Sequence, residues 1–388
     1  MAGRMNKTNG AQQRPIRVTM LGLRALFGAQ GGIETHARDV SQGLLEAFPD
    51  GVQLEVIERQ PYVDPNRQVP EWATKLALKA IWSPRSTGAE AIVHTLLGVL
   101  RAGLTRPDIL HIHGIGPALL TPLARLLGLR VVVTHHGQDY AREKWGAFAR
   151  MMLKTGERFA ARFANERIVI APGLDAQLLA MYGSQFHYVP NAAPAFTRGS
   201  QTHMLRALNI EAGAYVLHVG RIVPEKRQLD LIQALAQLPD ARWKLVLAGG
   251  NDHPNAYEQL VRSAARADKR VVMAGVLPPA DINQLLSHTG LFVLPSTHEG
   301  LPISLLEAMA VGAPVLVSHL PSLDALGLPA ECYADAENVA QWANAMRERM
   351  AVATNPPQAV DWSPWMAAFS IDSVARQTFA IYERALAH

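Results

Sequence analysis

Short apolar runs alternate with segments of helical length along almost the whole chain, and this constrains the fold most. Ile16–Leu23 reads as a buried strand, followed by a glycine-rich loop and a helix over Gly32–Ala47. Val52–Ile57 reads as a second strand, and Pro61–Pro70 as a polar, proline-containing loop. Ala89–Gly103 has helical spacing, with Ile92, Thr95, Leu96 and Val99 on one face. Strand Ile109–His113, helix Pro117–Leu127, strand Arg130–His135, a long helix Tyr140–Ala164 and strand Arg167–Ile170 follow. Apolar runs this short, joined by helices, indicate parallel sheets built from βαβ units.

The second half repeats the pattern. Strands are expected at Ala214–Val219, Lys244–Ala248, Val271–Ala274, Leu291–Leu294 and Pro314–Val317. Helices are expected near Lys226–Gln237, Asn255–Ala267, Ala280–Ser287 and Pro302–Gly312. Pro190–Gln201 has turn residues without periodicity and reads as the linker. The expected architecture is α/β: two doubly wound, Rossmann-like domains facing a cleft. The boundaries read as a disordered leader over 1–14, a first domain over 15–195, a second over 196–365, and a terminal helix over 366–388 that crosses back. Ligands in such sheets bind beyond the carboxyl ends of the strands.

The 388 residues suffice for two hydrophobic cores. Cys332 is the only cysteine, so no internal disulfide can form, which fits a reducing cytoplasm. The net charge of +4 gives no reason to expect nucleic acid. The leader lacks the apolar stretch of a signal peptide, and no window of about 20 residues is free of charge.

Three motifs follow strands. Gly28-Ala29-Gln30-Gly31-Gly32 lets backbone amides approach a phosphate at a helix N-terminus, or is a plain tight turn. It is neither G-x-G-x-x-G nor a P-loop. Gly220-Arg221 and Glu225-Lys226 place two cations near one strand tip, where they could converge on a diphosphate or form a surface ion network. The stretch from Glu299 to Met309 sets Glu299 before a helix and Glu307 inside it, with Pro302 suited to the first helical turn. Eight residues at helical rise span about 12 Å, the reach from a sugar across a diphosphate to a ribose. Glu307 interrupts an otherwise apolar helix and needs a hydrogen-bonding partner.

Together these motifs resemble the retaining nucleotide-sugar glycosyltransferases of the GT-B fold, specifically glycosyltransferase family 4 (group 1). The paired glutamates Glu299/Glu307 and the Gly220-Arg221…Glu225-Lys226 element carry the resemblance. In the first half it rests on Gly31-Gly32-Ile33-Glu34-Thr35-His36, His111-Ile112-His113-Gly114 and Thr134-His135-His136-Gly137-Gln138-Asp139-Tyr140 with Lys144-Trp145-Gly146. The resemblance implies that Arg221 and Lys226 bind the donor diphosphate, Glu307 the ribose hydroxyls and Glu299 the donor sugar. Amides near Gly31, Gly32, Leu301 and Pro302, beside Gly300, would cradle phosphate. Val276 and Leu277 would flank the base. His136 would sit against sugar and acceptor, with His135 the competing candidate. His113, Asp139 and Lys144 fall on the acceptor side. Pro302 departs from the glycine of many relatives and removes one amide donor.

No Asp-x-Asp motif is present, so no cofactor and no obligatory metal is expected; Arg221 and Lys226 would replace one. The implied partners are a nucleotide-diphosphate sugar donor and a glycan or lipid-linked acceptor in surface polysaccharide biosynthesis, with retention of anomeric configuration. Segment 139–167 carries Arg142, Lys144, Arg150, Lys154, Arg158, Arg162 and Arg167 among aromatic and methionine side chains. It reads either as a peripheral contact with an anionic membrane or as a solvated face over a packed helix. The expected location is the cytoplasm, at the inner face of its membrane. A nucleotide-sugar 2-epimerase of the same fold and a non-catalytic scaffold subunit are the alternative functions.

Overall fold

The computed structural model describes residues 14–28, 31–85, 89–138, 140, 146–238, 242–251, 256–352, 355 and 357–387. The first sheet contains β1 (Ile16–Leu21), β2 (Val52–Arg59), β3 (Ala77–Ile81), β4 (Ile109–His113), β5 (Val131–His135), β6 (Glu166–Val169) and β7 (His187–Tyr188). Its order is β3-β2-β1-β4-β5-β6-β7, all parallel. The second contains β8 (Tyr215–Val219), β9 (Lys244–Ala248), β10 (Val271–Gly275), β11 (Leu291–Leu294), β12 (Val315–Ser318) and β13 (Tyr333–Ala334). Its order is β10-β9-β8-β11-β12-β13, also parallel. These are the two doubly wound sheets that the alternation predicts.

In each sheet the chain starts in the middle, runs to one edge and then returns to build the other side. The order reverses between β1 and β4 in the first sheet and between β8 and β11 in the second. A crevice opens at such a reversal, outside the strand ends. The Gly31–Gly32 turn follows β1, and His113 ends β4. The Arg221–Lys226 element follows β8, and Glu299–Glu307 follows β11. All four lie at the two crevices.

Helices cover both faces, so the central strands are buried along their length: every residue of β4, β5, β11 and β12 is inaccessible. Helix Gly32–Ala47 packs against the final helix, Ile371–Ala387. Gly43 permits this approach; a Cβ there would lie 2.7 Å from Ile371 Cγ2 and 2.8 Å from Ala375 Cβ. Phe48 and Phe379 stack at 3.9 Å, and the Tyr382 hydroxyl bonds His111 Nδ1 at 2.8 Å inside the first sheet.

Several elements depart from the sequence reading. Strand β3 lies where no strand is expected, because its residues ALKAI are mostly exposed on an edge and carry no buried run. Helices Leu174–Tyr182 and Val339–Val352 are also additional. The expected helix over Lys226–Gln237 begins only at Gln228: Pro224–Lys226 forms a 3-10 turn, and Arg227 adopts φ 49°, left-handed. The helix over Pro117–Leu127 divides into a 3-10 turn, Pro117–Leu120, and an α-helix, Thr121–Leu126. Pro302 caps its helix from outside instead of opening the first turn; the helix runs Ile303–Ala310. On Ala89–Thr105 the buried face contains Thr95 and Val99 as expected, but Ile92 and Leu96 lie outside with Leu100 and Leu104. The polar loop over 61–70 is pinned by Arg67, whose guanidinium donates to both oxygens of buried Glu58 at 2.8 and 2.7 Å. No helix among the described residues is long and apolar enough to cross a membrane.

Candidate functional site

The second sheet presents its charged groups from two loops tied together. The Thr297 amide donates to the Glu225 carbonyl at 2.9 Å, joining the loop after β8 to the loop after β11. Across that seam the Lys226 ammonium is ion-paired with the Glu299 carboxylate, both largely enclosed. Gln228 Nε2 donates to the Arg221 carbonyl at 2.7 Å and fixes the chain as it leaves β8. Arg221 itself is exposed. Beneath it, His218 Nδ1 lies 3.1 Å from the Val293 carbonyl, which can only accept, so Nδ1 carries the proton. Burial pushes the His218 pKa down to about 4, with Lys226 adding to the effect. Gly249, at φ 134°, packs so tightly on the Gly220 carbonyl that no side chain fits there.

Glu307 lies eight residues beyond Glu299, on helix Ile303–Ala310. Burial, with Asp39 of the first domain adding to it and Arg38 opposing it, raises its pKa to about 7. Asp39 is likewise raised by burial, to about 6, and its Oδ2 has no hydrogen-bond partner among the described residues. Two carboxylates from opposite domains therefore share an enclosed space at the cleft, and each disfavours the other's charge.

The first sheet contributes histidines. His36 projects from helix Gly32–Ala47, His111 and His113 from β4, His135 from the end of β5, and His136 from the turn beyond it. His113 Nδ1 and His136 Nε2 are 3.2 Å apart. His36 and His136 meet edge to face at 4.9 Å between ring centres. Burial lowers the pKa of His36 to about 4 and holds His113 and His136 well below 6.5, so the cluster is neutral at pH 7. Gly22, at φ 107°, lies directly against the His113 backbone and admits no side chain.

His135 and His136, which sequence leaves as alternatives, face different ways. The Gly137 amide donates to His135 Nδ1 at 3.1 Å, so the proton of the neutral ring is on Nε2, which donates to Glu157 Oε2 at 2.8 Å. Glu157 also accepts from Tyr182 at 2.7 Å and Tyr140 at 3.4 Å. Burial opposes its charge, but these hydrogen bonds prevail and leave its pKa lowered. His135 is thus a buried strut of the turn, whereas His136 is partly exposed and packs against the other domain's motif.

The two motifs meet there. Any Cβ added to Gly300 would lie 3.4 Å from the His136 carbonyl, in tight contact. Asn191 bridges the same place: its Oδ1 accepts from His36 Nδ1 at 2.9 Å, and its Nδ2 donates to the Leu301 carbonyl at 2.6 Å. The structure therefore brings together Glu299, Gly300, Leu301, Lys226 and His136, with His113 behind. Gly31 is covered by the Arg24–Glu34 ion pair, while a Cβ at Gly32 would meet open space. Val276 is 55% exposed, and Leu277 packs against the second core. Pro302 is buried at the helix cap with its carbonyl accepting from Leu305 and Leu306. Asp139 and Lys144, like Ala29, Gln30, Arg142 and Trp145, lie outside the described residues, as does the leader except Arg14.

Four residues the motif reading did not single out belong to this arrangement: Asn191, Asp39, Glu157 and His218. Asn191 sits in the linker, where nothing in the sequence marks it. Glu157 carries a signal that could be used, since it is a carboxylate on a helix otherwise lined with cations.

A pair of doubly wound domains, with a cationic and carboxylate loop set facing a histidine-bearing strand end, defines the GT-B class of fold. Residues 30–194 match the family model described as Glycosyltransferase Family 4, and residues 201–351 that described as Glycosyl transferases group 1. The chain belongs to the family 4, or group 1, glycosyltransferases. It is 27% identical over 231 residues to the UDP-Gal:alpha-D-GlcNAc-diphosphoundecaprenol alpha-1,3-galactosyltransferase of Escherichia coli, a match covering 55% of this chain and 58% of that protein. It is 25% identical over 311 residues to the GDP-mannose:cellobiosyl-diphosphopolyprenol alpha-mannosyltransferase of Xanthomonas campestris, covering 77% and 78%. Matches thus span little more than half the length of some relatives. Among solved structures, sucrose-phosphate synthase from Thermosynechococcus elongatus superposes with a TM-score of 0.78 at 21% identity, over 97% of this chain and 100% of that one. The Anabaena protein HepE in complex with UDP superposes at 0.72 and 17% identity, over 95% and 99%.

Proposed function

We propose that this chain transfers a hexose-type sugar from a nucleotide-diphosphate donor to a glycan or lipid-linked acceptor in surface polysaccharide assembly, with retention of anomeric configuration. The contact of Gly300 with the His136 backbone, and of Leu301 with Asn191, supports this reading, because it brings the loop bearing the ion-paired Glu299 and Lys226 against the turn bearing His136. Lys226 and Arg221 take the diphosphate and stabilise the charge that develops as it leaves. Glu299 exchanges part of its bond to Lys226 for the donor sugar, and Glu307 accepts from the ribose hydroxyls. The neutral His136 ring contacts the sugar. The leaving diphosphate takes the acceptor proton, and the enclosed cleft keeps water from the donor.

Two cations at the phosphate position make a divalent ion dispensable in this reading. Its acceptor side rests on what the two bacterial relatives are named for, diphosphate-linked polyprenols, and on the outer surface of the first domain. There Arg150, Lys154, Arg158 and Arg162 are exposed along helix Ala147–Phe163 beside exposed Phe148 and Met151. Helix Ala89–Thr105, in the same domain, exposes Leu100 and Leu104. Cations beside apolar side chains favour the surface of an anionic membrane, at the inner cytoplasmic face.

The test is a product assay with UDP-, GDP-, dTDP- and ADP-sugars and polyprenyl-diphosphate glycan acceptors, read by mass spectrometry and anomeric NMR. An acceptor-dependent product with the donor's anomeric configuration, formed equally in chelator, supports the reading. Epimerised sugar from donor alone would assign the chain to the epimerases. Loss of activity in chelator would overturn metal independence.

A further inference from the structure

We propose that His36, His113 and His136 form a nitrogen-only site for a borderline divalent cation such as Zn²⁺. One ring nitrogen from each lies within 4.8 Å of the others, and the three side chains come from a helix, a strand end and a turn. The 3.2 Å separation of His113 Nδ1 and His136 Nε2 is close to the edge of a tetrahedron with metal–nitrogen bonds of about 2.0–2.1 Å.

The protonation pattern suits a metal. Asn191 Nδ2 is committed to the Leu301 carbonyl, so its Oδ1 faces His36 and must accept from His36 Nδ1. That leaves His36 Nε2 with its lone pair directed into the cluster. A ligating histidine is usually oriented in this way, by a carbonyl on its other nitrogen. His113 is fully buried; its Nδ1 pairs with His136 Nε2, and its Nε2 has no hydrogen-bond partner among the described residues.

Three imidazoles without a carboxylate select Zn²⁺, Ni²⁺ or Cu²⁺ over Mg²⁺ or Ca²⁺, which take oxygen ligands. His136 is the one partly exposed member, so a fourth ligand would enter on its side. If His136 contacts the donor sugar as proposed above, an ion there competes with donor and inhibits transfer. That consequence rests on the functional reading; the site itself does not.

The experiment titrates Co²⁺ into the untagged full-length chain after chelator treatment, reading the visible bands of four-coordinate cobalt. One equivalent should bind, be displaced by Zn²⁺ and resist millimolar Mg²⁺. His36→Gln and His113→Gln should each weaken binding about tenfold or more, and Asn191→Ala by about tenfold through the lost orientation of His36. His203→Ala, at an exposed histidine on the second domain, should bind as the unsubstituted chain does. Should His113→Gln fail to fold, His36→Gln and Asn191→Ala decide the matter. Absence of four-coordinate bands, or equal binding by the variants that fold, would overturn the site. Neither result depends on turnover, so failure here is distinct from failure of the transferase reading.

Discussion

Glu307 shows at a single residue what the cleft asks of a side chain. Its carboxyl, raised to about 7 by burial and by Asp39, is part-protonated at neutral pH without ligand. Ribose hydroxyls donate to a carboxylate and so favour its charged form. Nucleotide affinity should therefore rise as pH increases from 6 to 8, and calorimetry on Glu307→Gln should find that slope gone. Glu299 makes the opposite case, because its partner Lys226 is the group proposed to take the diphosphate. Glu299→Gln should keep nucleoside diphosphate affinity within a few-fold while turnover falls by about 10²-fold or more, the pattern for a group acting in the transition state. The sequence singles out these two glutamates and Lys226 through their spacing and the family resemblance. Asp39 and Asn191 escape it, because what gives them a role is a neighbour on the other domain.

Helix Ala147–Phe163 combines two roles on opposite faces. Its outer stripe of cations is solvent-exposed, while Glu157 points inward to hold His135 and so the turn bearing His136. Arg167, read with the basic stretch, instead caps this helix by donating to the carbonyls of Ala160, Ala161 and Ala164. Replacing Glu157 with Gln removes an acceptor shared by three donors and should cost about 1–3 kcal/mol of stability. A fall in melting temperature with a lower kcat at unchanged KM would match a strut of the His136 turn. Unchanged kcat would reduce Glu157 to packing. Elements with strict apolar periodicity, such as β4, β5 and β11, are legible in the sequence. Edge elements such as β3 and β7 are not, since half-exposed pairs of strands leave no apolar run. The break at Arg227 is equally hidden, being a left-handed residue inside a helical pattern.

The whole molecule concentrates buried, neutral histidines: His36, His94, His111, His113, His136 and His218 are all held below 6.5 by burial. Unfolding exposes them to protonation, so between about pH 4 and 6.5 the unfolded chain binds more protons and stability rises with pH. Glu307 and Asp39 act the other way: their raised values favour the native state at low pH and cost stability as pH climbs toward 7. Six groups outweigh two, so the melting temperature should drop as pH falls from 6.5 to 5. A flat profile would mean that the histidines titrate freely in the folded chain. The fold-level reading of two sheets with a crevice at each reversal is legible because strand order follows from the alternation and right-handed crossovers. How closely the two crevices approach is not, because it depends on contacts such as Gly300 on His136.

The central claim is that the loops after β8 and β11 form a nucleotide-sugar site. It is tested most directly by calorimetric titration of UDP, GDP, dTDP and ADP into the native chain and Glu307→Ala. The account predicts one base bound selectively, and at least about tenfold weaker binding in the variant, the loss expected for a hydrogen-bonded charged group. Equal binding of that nucleotide by both proteins, or no binding of any of the four at millimolar concentration, would contradict it.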